Sequence, residues 1–285
     1  MNLKNYLANI GISISDFSRN CGLPYSTIAE LISGKKTLSK CNASTVYVIA
    51  KELGISVEEL LEKEKEDIYP DKYSLDQKSV VFLAKRLWDQ NVYCGMKMEN
   101  RNITFPQTKT ILEGINVSGV SLDDITAVLN MRDAWKYILN TLDNSFDLEY
   151  IMKINSFISR NESLEWGVLR RGRVGISGTD YIPPIPENND VIKGVNEILL
   201  SYKTNTEKAL DMFCFITYRQ LFWEGNKRTA LCCANKMLLS SGAGMITIKD
   251  DVMIRFNELL CRMYDTGEKE EVKTFLYNNA ILGLD

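Results

Sequence analysis

At 285 residues, 45% hydrophobic and 25% charged, the chain is long enough for two domains and has the composition of an ordinary globular protein. A net charge of −3 excludes a surface coated in basic charge, so any contact with nucleic acid has to come from a local patch. The chain has no histidine, and so lacks the side chain that most often moves protons near neutral pH.

Seven cysteines are scattered without a CxxC pair, several inside apolar helical patterns, which reads as reduced thiols in a cytosol. No Cys, Asp or Glu cluster has ligand spacing, so no zinc is expected. The opening MNLKNYLANIGIS has no apolar signal core, and no run approaches the ~18 residues of a membrane span. A cytoplasmic location and no membrane partner are therefore expected.

Residues 1–64 give short helical signals, each closed by a turn. Ser15 to Asn20 reads as one helix, Cys21-Gly22-Leu23 as a turn, and Pro24 to Ile32 as a second helix, the helix-turn-helix pattern. Leu23, Ile28, Leu31 and Ile32 face the core, leaving Tyr25, Ser26, Thr27 and Glu30 outward to reach base edges, with Lys35 and Lys36 placed for phosphates. Ala43 to Leu53 and Val57 to Leu61 are further helical signals. With the closing KELGISVEELLE, this arrangement resembles the XRE (Cro-like) helix-turn-helix family, which implies five helices and sequence-specific, usually dimeric, DNA binding.

Residues 65–78, charged and broken by Pro70, read as a linker, and 79–285 as a second domain. Amphipathic stripes there (Ile125, Val128, Leu129, Trp135, Ile138, Leu139, Leu142; then Val191, Ile192, Val195, Ile198, Leu199) predict packing helices. Gly167 to Glu187 breaks that rhythm with glycines, alternating Val174 and Ile176, and Pro183-Pro184, and reads as a β-hairpin or extended flap. ALDMFCFI (Ala209 to Ile216) and LCCANKMLL (Leu231 to Leu239) are apolar nearly all round and are expected to cross the domain centre. The fold class is thus mainly all-α, a helix-turn-helix domain followed by a helical domain with a small β-hairpin flap.

Between the two apolar segments lies QLFWEGNKRTA. Gly225 permits a sharp turn, and Asn226 to Thr229 begin a helix whose first amides suit an anion. Lys227 and Arg228 add charge-assisted donors, and Glu224 is placed to hold a divalent cation against phosphate oxygens. The combination points to a nucleotide, ATP or a relative, with magnesium, although GNKRT alone is also compatible with a helix start carrying solvated cations.

QLFWEGNKRTA resembles the Fic/Doc (Fido) motif HxFx[DE]GN[GK]R at six of its seven defined positions. Gln220 stands in the histidine's place. WGVLRRGRVGISGTDYIPPIP resembles the family's flap, so Val174, Gly175 and Ile176 are implied as a target-protein docking strand. The resemblance implies transfer of AMP, or in Doc-type members a phosphoryl group, from ATP to a protein hydroxyl, with histidine as base. It also implies phosphate contacts at Gly225, Asn226, Lys227 and Arg228 and a metal at Glu224. Leu231 replaces the family's second arginine. A glutamine amide cannot take a proton at neutral pH, which costs roughly 10²- to 10⁴-fold, and only a carboxylate such as Glu224, Asp180 or Glu187, or solvent, remains as a base.

ILEG, with Glu113, is similar to the end of the family's inhibitory motif [ST]xxxE[GN], Lys109 standing at the Ser/Thr position. Helix capping by Glu113 is the alternative. Three functions follow: a homodimeric transcriptional regulator whose degenerate Fic domain binds nucleotide with little transfer, a toxin-like transferase that controls its own promoter, or a structural protein in which the Fido fold only supplies a dimer interface, against which the retained Glu224, Gly225, Asn226 and Arg228 count.

Overall fold

The structure is a computed structural model that describes Leu7 and residues 12–33, 35–64, 69–201 and 203–284. The chain packs as two compact units, residues 1–68 with 202–204, and residues 69–201 with 205–285.

In the first unit, helices α1 (Ile14–Cys21), α2 (Tyr25–Ile32), α3 (Ala43–Leu53) and α4 (Val57–Glu64) surround a small core of Phe17, Ile28, Leu38, Val46, Ile49 and Leu60. Ser13 caps α1 by accepting from the Asp16 amide, and Gly22 ends it in the left-handed conformation that the tight turn needs. Pro24 is the N-cap of α2 and not its first helical residue. The fifth helix expected here falls on residues outside those described, except for Leu7, which is buried in this core.

The second unit contains α5 (Gln77–Met98), α6 (Phe105–Leu112), α7 (Leu122–Asn140), α8 (Leu148–Ile158), α9 (Asn188–Leu200), α10 (Asn205–Arg219), α11 (Asn226–Ser241), α12 (Asp250–Thr266) and α13 (Glu270–Ala280). α11 runs through the centre, with α10, α5, α8 and α7 packed around it. Its Ala230, Leu231, Cys232, Cys233 and Leu238 are fully buried, as are Leu210, Met212, Phe213 and Ile216 of α10, so both apolar segments cross the domain as their composition requires. On α9, Val191 and Val195 are buried but Ile192 is exposed.

Two expectations are corrected here. Among the described residues the only strand pairing joins β1 (Met245–Ile246) to β2 (Ile281–Leu282), antiparallel. The flap, 167–187, is extended without a ladder, because Pro183 and Pro184 lack amide donors and Val174 and Ile176 have no strand beside them. Second, residues 69–78 of the expected linker are packed. Tyr69 is buried, the Leu75 amide donates to the Gly242 carbonyl at 2.9 Å, and α5 already starts at Gln77. Gly242 allows this approach, since a Cβ there would lie 2.3 Å from the Leu75 carbonyl oxygen. Residues 65–68 of that linker lie outside the described residues.

Candidate functional site

The motif turn is built by three residues, Gly225, Asn226 and Phe222. Gly225, at φ +72°, is the N-cap of α11, and a Cβ there would lie 2.7 Å from Ile158. Asn226 closes the turn: its Oδ1 accepts from the Phe222 amide at 2.9 Å, and its Nδ2 donates to the Phe222 carbonyl at 2.8 Å and to Gln220 Oε1 at 3.0 Å. Phe222 is fully buried and anchors the loop. The first amides of α11, beginning at Asn226, have no acceptor within the helix, an arrangement chemically able to take an anion.

Gln220 ends α10 in the left-handed region, φ +47°. Its amide is committed at both ends, Oε1 to Asn226 and Nε2 to the Thr217 carbonyl at 2.7 Å, with Tyr264 Oη at 3.4 Å. Burial pushes the Tyr264 phenol far above its ordinary range, so this neighbour is no base at neutral pH.

The cations expected to meet phosphate are in ion pairs. Arg228, 2% exposed, is gripped by Glu162: Nη1 to Oε1 at 3.0 Å and Nη2 to Oε2 at 3.1 Å. Its Nε lies 3.8 Å from Glu99 Oε1, and Lys227 Nζ lies 3.2 Å from Glu99 Oε2 and 2.5 Å from the Met98 carbonyl. Arg101 also binds Glu162, and Asp124 at 3.1 Å. Four acids, Glu99, Asp124, Glu162 and Glu224, thus surround Arg101, Lys227 and Arg228.

Glu224 lines an open cleft of about 790 Å³ with Glu162, Trp223, Arg173, Val174 and Gly175. Partial burial, followed by the charges of Glu99 and Glu162, raises its carboxyl above the usual range, against the opposing pull of Arg228 and Arg101. Asp180 and Glu187 are exposed and outside the cleft lining. Among the described residues no three His, Cys, Asp or Glu side chains are grouped to hold a metal, so a cation at Glu224 would need oxygens from its ligand or water.

Of the flap residues, Val174 and Gly175 face the cleft, while Ile176 packs on the domain core. Arg170, fully buried, fastens the flap: it donates to the Gln220 carbonyl at 2.6 Å, to Gly172 at 2.5 Å and to Pro184 at 2.7 Å. Nothing in the sequence reading singled it out; the signal was an arginine inside an otherwise extended, glycine-rich segment.

Glu113 is corrected. It is the exposed C-cap of α6, the capping alternative, and the acid facing Lys227 and Arg228 is Glu99, the C-cap of α5. Glu99-Asn100 fits E[GN] as well as Glu113-Gly114 does, with Gly95 at the Ser/Thr position; only the packing of α5 beside α11 separates them. Leu231, at the second arginine's place, is fully buried in the core and leaves no room for a charged clamp.

In the first unit, Tyr25, Ser26, Glu30 and Lys35 are exposed and Thr27 and Lys36 half-buried, while Ile28 and Leu31 are buried. The start of α2 therefore presents exposed Tyr25 and Ser26, and the two lysines follow its other end.

The chain thus has a helix-turn-helix unit and a helical unit with a glycine turn at a central helix. Residues 2–66 match the family model described as Cro/C1-type HTH DNA-binding domain, and 145–238 that of the Fic/DOC family. The chain therefore carries a Cro/C1-type helix-turn-helix domain and a domain of the Fic/DOC family. It is 27% identical over 175 residues to the protein adenylyltransferase Fic of Aedes aegypti and to that of Nematostella vectensis, covering 58% of this chain and 35% and 40% of those proteins. It spans little more than a third of the length of these relatives. Solved structures share the fold: Fic-1 of C. elegans (TM-score 0.61, 15% identity, 97% of this chain and 95% of that one) and a Fic domain containing signaling protein from Bacteroides thetaiotaomicron (TM-score 0.58, 16% identity, 72% and 86%).

Proposed function

We propose that the protein is a cytoplasmic, homodimeric DNA-binding transcriptional regulator whose Fic domain binds ATP or a related nucleotide with magnesium and has little transferase activity. The observation that carries this reading is Gln220: the position of the base holds an amide whose acceptor and donor are both engaged, in a chain with no histidine. The turn at Gly225, Lys227 and Arg228, and Glu224 in the cleft, supply the parts for binding. No helix among the described residues is long and apolar enough to cross a membrane.

Calorimetry with ATP and magnesium tests the binding. Glu224→Gln is expected to abolish the magnesium dependence. In the wild type, magnesium-assisted affinity should fade as pH falls through a value above the usual carboxylate range, since the raised Glu224 carboxyl then takes a proton in place of the metal. Affinity independent of both magnesium and Glu224 would remove the metal from this site.

For DNA, gel shifts with the protein's own promoter region across salt concentrations are the matching measurement. Lys36→Ala should weaken all sequences alike and lower the salt slope by about one, while Tyr25→Ala or Thr27→Ala should relax sequence preference. Absence of any shift at low salt would count against a regulator. The similarity to the protein adenylyltransferases Fic of Aedes aegypti and Nematostella vectensis supports the second reading, a transferase acting on a protein hydroxyl at the flap. Covalent label passing from ATP to protein, lost in Glu224→Gln, would put that reading first.

A further inference from the structure

Asn155, on α8, is fully buried, and both polar ends of its side chain are used. Its Nδ2 donates to the Glu224 carbonyl at 3.1 Å and to Thr229 Oγ1 at 3.2 Å; its Oδ1 accepts from the Gly167 amide at 2.9 Å and from Ser159 Oγ at 3.0 Å. Two of these partners fix which way the amide points, since a backbone carbonyl only accepts and a backbone N–H only donates. One side chain thus holds the peptide of Glu224, the first turn of α11, the first residue of the flap and the end of α8.

The backbone agrees with those bonds. Gly167, at φ +71°, begins the flap so close to α8 that a Cβ there would lie 2.6 Å from Ser156 Cβ, just as a Cβ at Gly225 would lie 2.7 Å from Ile158. The base of the flap and the motif turn are therefore both seated on α8, within three residues of Asn155. Further along the flap, the Arg170 amide donates to the Leu221 carbonyl at 3.0 Å, a second tie between the same two segments. Among side chains of this size only an amide serves all four partners: a carboxylate has no donor, a hydroxyl has one, and leucine has neither donor nor acceptor.

We infer that Asn155 is a positioning residue that sets the base of the flap and the Glu224 turn as one body, and thereby fixes the direction in which Glu224 offers its carboxylate to a cation. The inference rests on the proposed magnesium nucleotide at Glu224, and it adds a residue outside both the motif and the cleft lining. Asn155 touches no ligand; it acts through the carbonyl of Glu224. A side chain that binds a cation has to be held to within about 0.5 Å, and a Glu224 carbonyl released from Nδ2 lets its peptide rotate by more than that. The same carbonyl, buried and without a donor, costs free energy until the turn rearranges to find another.

The test is hydrogen exchange read by mass spectrometry, with calorimetry, on the full chain as wild type, Asn155→Leu, Asn155→Asp and Asn235→Leu. Asn235 is an equally buried amide bonded to both backbone groups of Ile246, so its replacement is the control for general loosening. Without ligand, Asn155→Leu should speed exchange roughly tenfold at both 167–169 and 222–226; Asn155→Asp, which keeps the acceptor and loses the donor, should speed it at 222–226 alone. Asn235→Leu should leave both segments as they are. In calorimetry, Asn155→Asp should weaken magnesium ATP roughly three- to tenfold and leave the affinity for ATP without magnesium unchanged. Faster exchange at only one segment in Asn155→Leu, or at both in Asn235→Leu, overturns the inference, as does an equal loss of affinity with and without magnesium. If Asn155→Leu loses its near-ultraviolet circular dichroism, Asn155→Asp decides: faster exchange at the turn beside an unchanged flap base supports the inference, and any other pattern overturns it. If the wild type binds no ATP, the nucleotide reading falls and the exchange pattern alone decides whether the two segments are held as one.

Discussion

Gln220→His is expected to raise label transfer from ATP to protein by up to roughly 10²- to 10⁴-fold over the wild type, the contribution of a general base. The site accommodates the change: Gln220 uses one acceptor, toward Asn226, and one donor, toward the Thr217 carbonyl, and a neutral imidazole has one of each. With its N–H on Thr217, the other ring nitrogen exchanges Asn226 for a substrate hydroxyl proton. The grip of Glu162 on Arg228 and the loss of the second arginine to Leu231 place the result toward the lower end of the range. Labelled ATP, lysate and purified variants measure it. No label above the wild-type level would show that more than the base has been lost.

Lys273→Met is expected to cost about 3–5 kcal/mol of folding stability, read as a lower denaturation midpoint, because it removes the cation from a buried ionic cluster. Lys273, with a side chain 1% exposed, lies 3.0 Å from Asp211 and 3.1 Å from Glu207, themselves nearly buried, and 3.3 Å from Glu270. Lys269, at 3.1 Å from Asp211, compensates only from the surface. Desolvation works against the Lys273 charge, but Asp211 and Glu207 outweigh it and hold the ammonium above the ordinary lysine range. A raised lysine stabilises fully below its unfolded value and loses that contribution only as pH climbs through the folded one, so titration of Lys273 itself should leave stability flat through neutral pH and lower it in strong alkali. Adding Asp211→Asn and Glu207→Gln to Lys273→Met should recover much of the loss; failure to do so would locate the cost in packing and not in unpaired charge.

Much of the site was legible locally. Gly225 as the turn, Asn226 as the start of a helix, Phe222 as an anchor and the polar start of α2 all follow from residue type and near neighbours in the chain, and these are the features the structure reproduces. What was not legible depends on segments far apart in sequence. An alternating Val-Gly-Ile pattern indicates an extended segment but not whether a partner strand lies beside it, and the flap has none.

The sequence by itself determined that the chain is mainly helical, that a helix-turn-helix module precedes a larger domain, and that a glycine turn stands at the head of a buried helix in a chain without a histidine. Those properties are carried by hydrophobic periodicity, by glycine at a left-handed turn, and by which side chains can accept a proton. Only the tertiary structure decided which charges meet. Glu99, Glu113 and Glu162 are equally plain carboxylates in the sequence; the packing of α5 and of the loop after α8 against α11 brings the first and third to Lys227 and Arg228 and leaves Glu113 in solvent. Charge interactions act through space and at close range, so the pairing of Lys227 and Arg228 with Glu99 and Glu162 is a property of the folded arrangement.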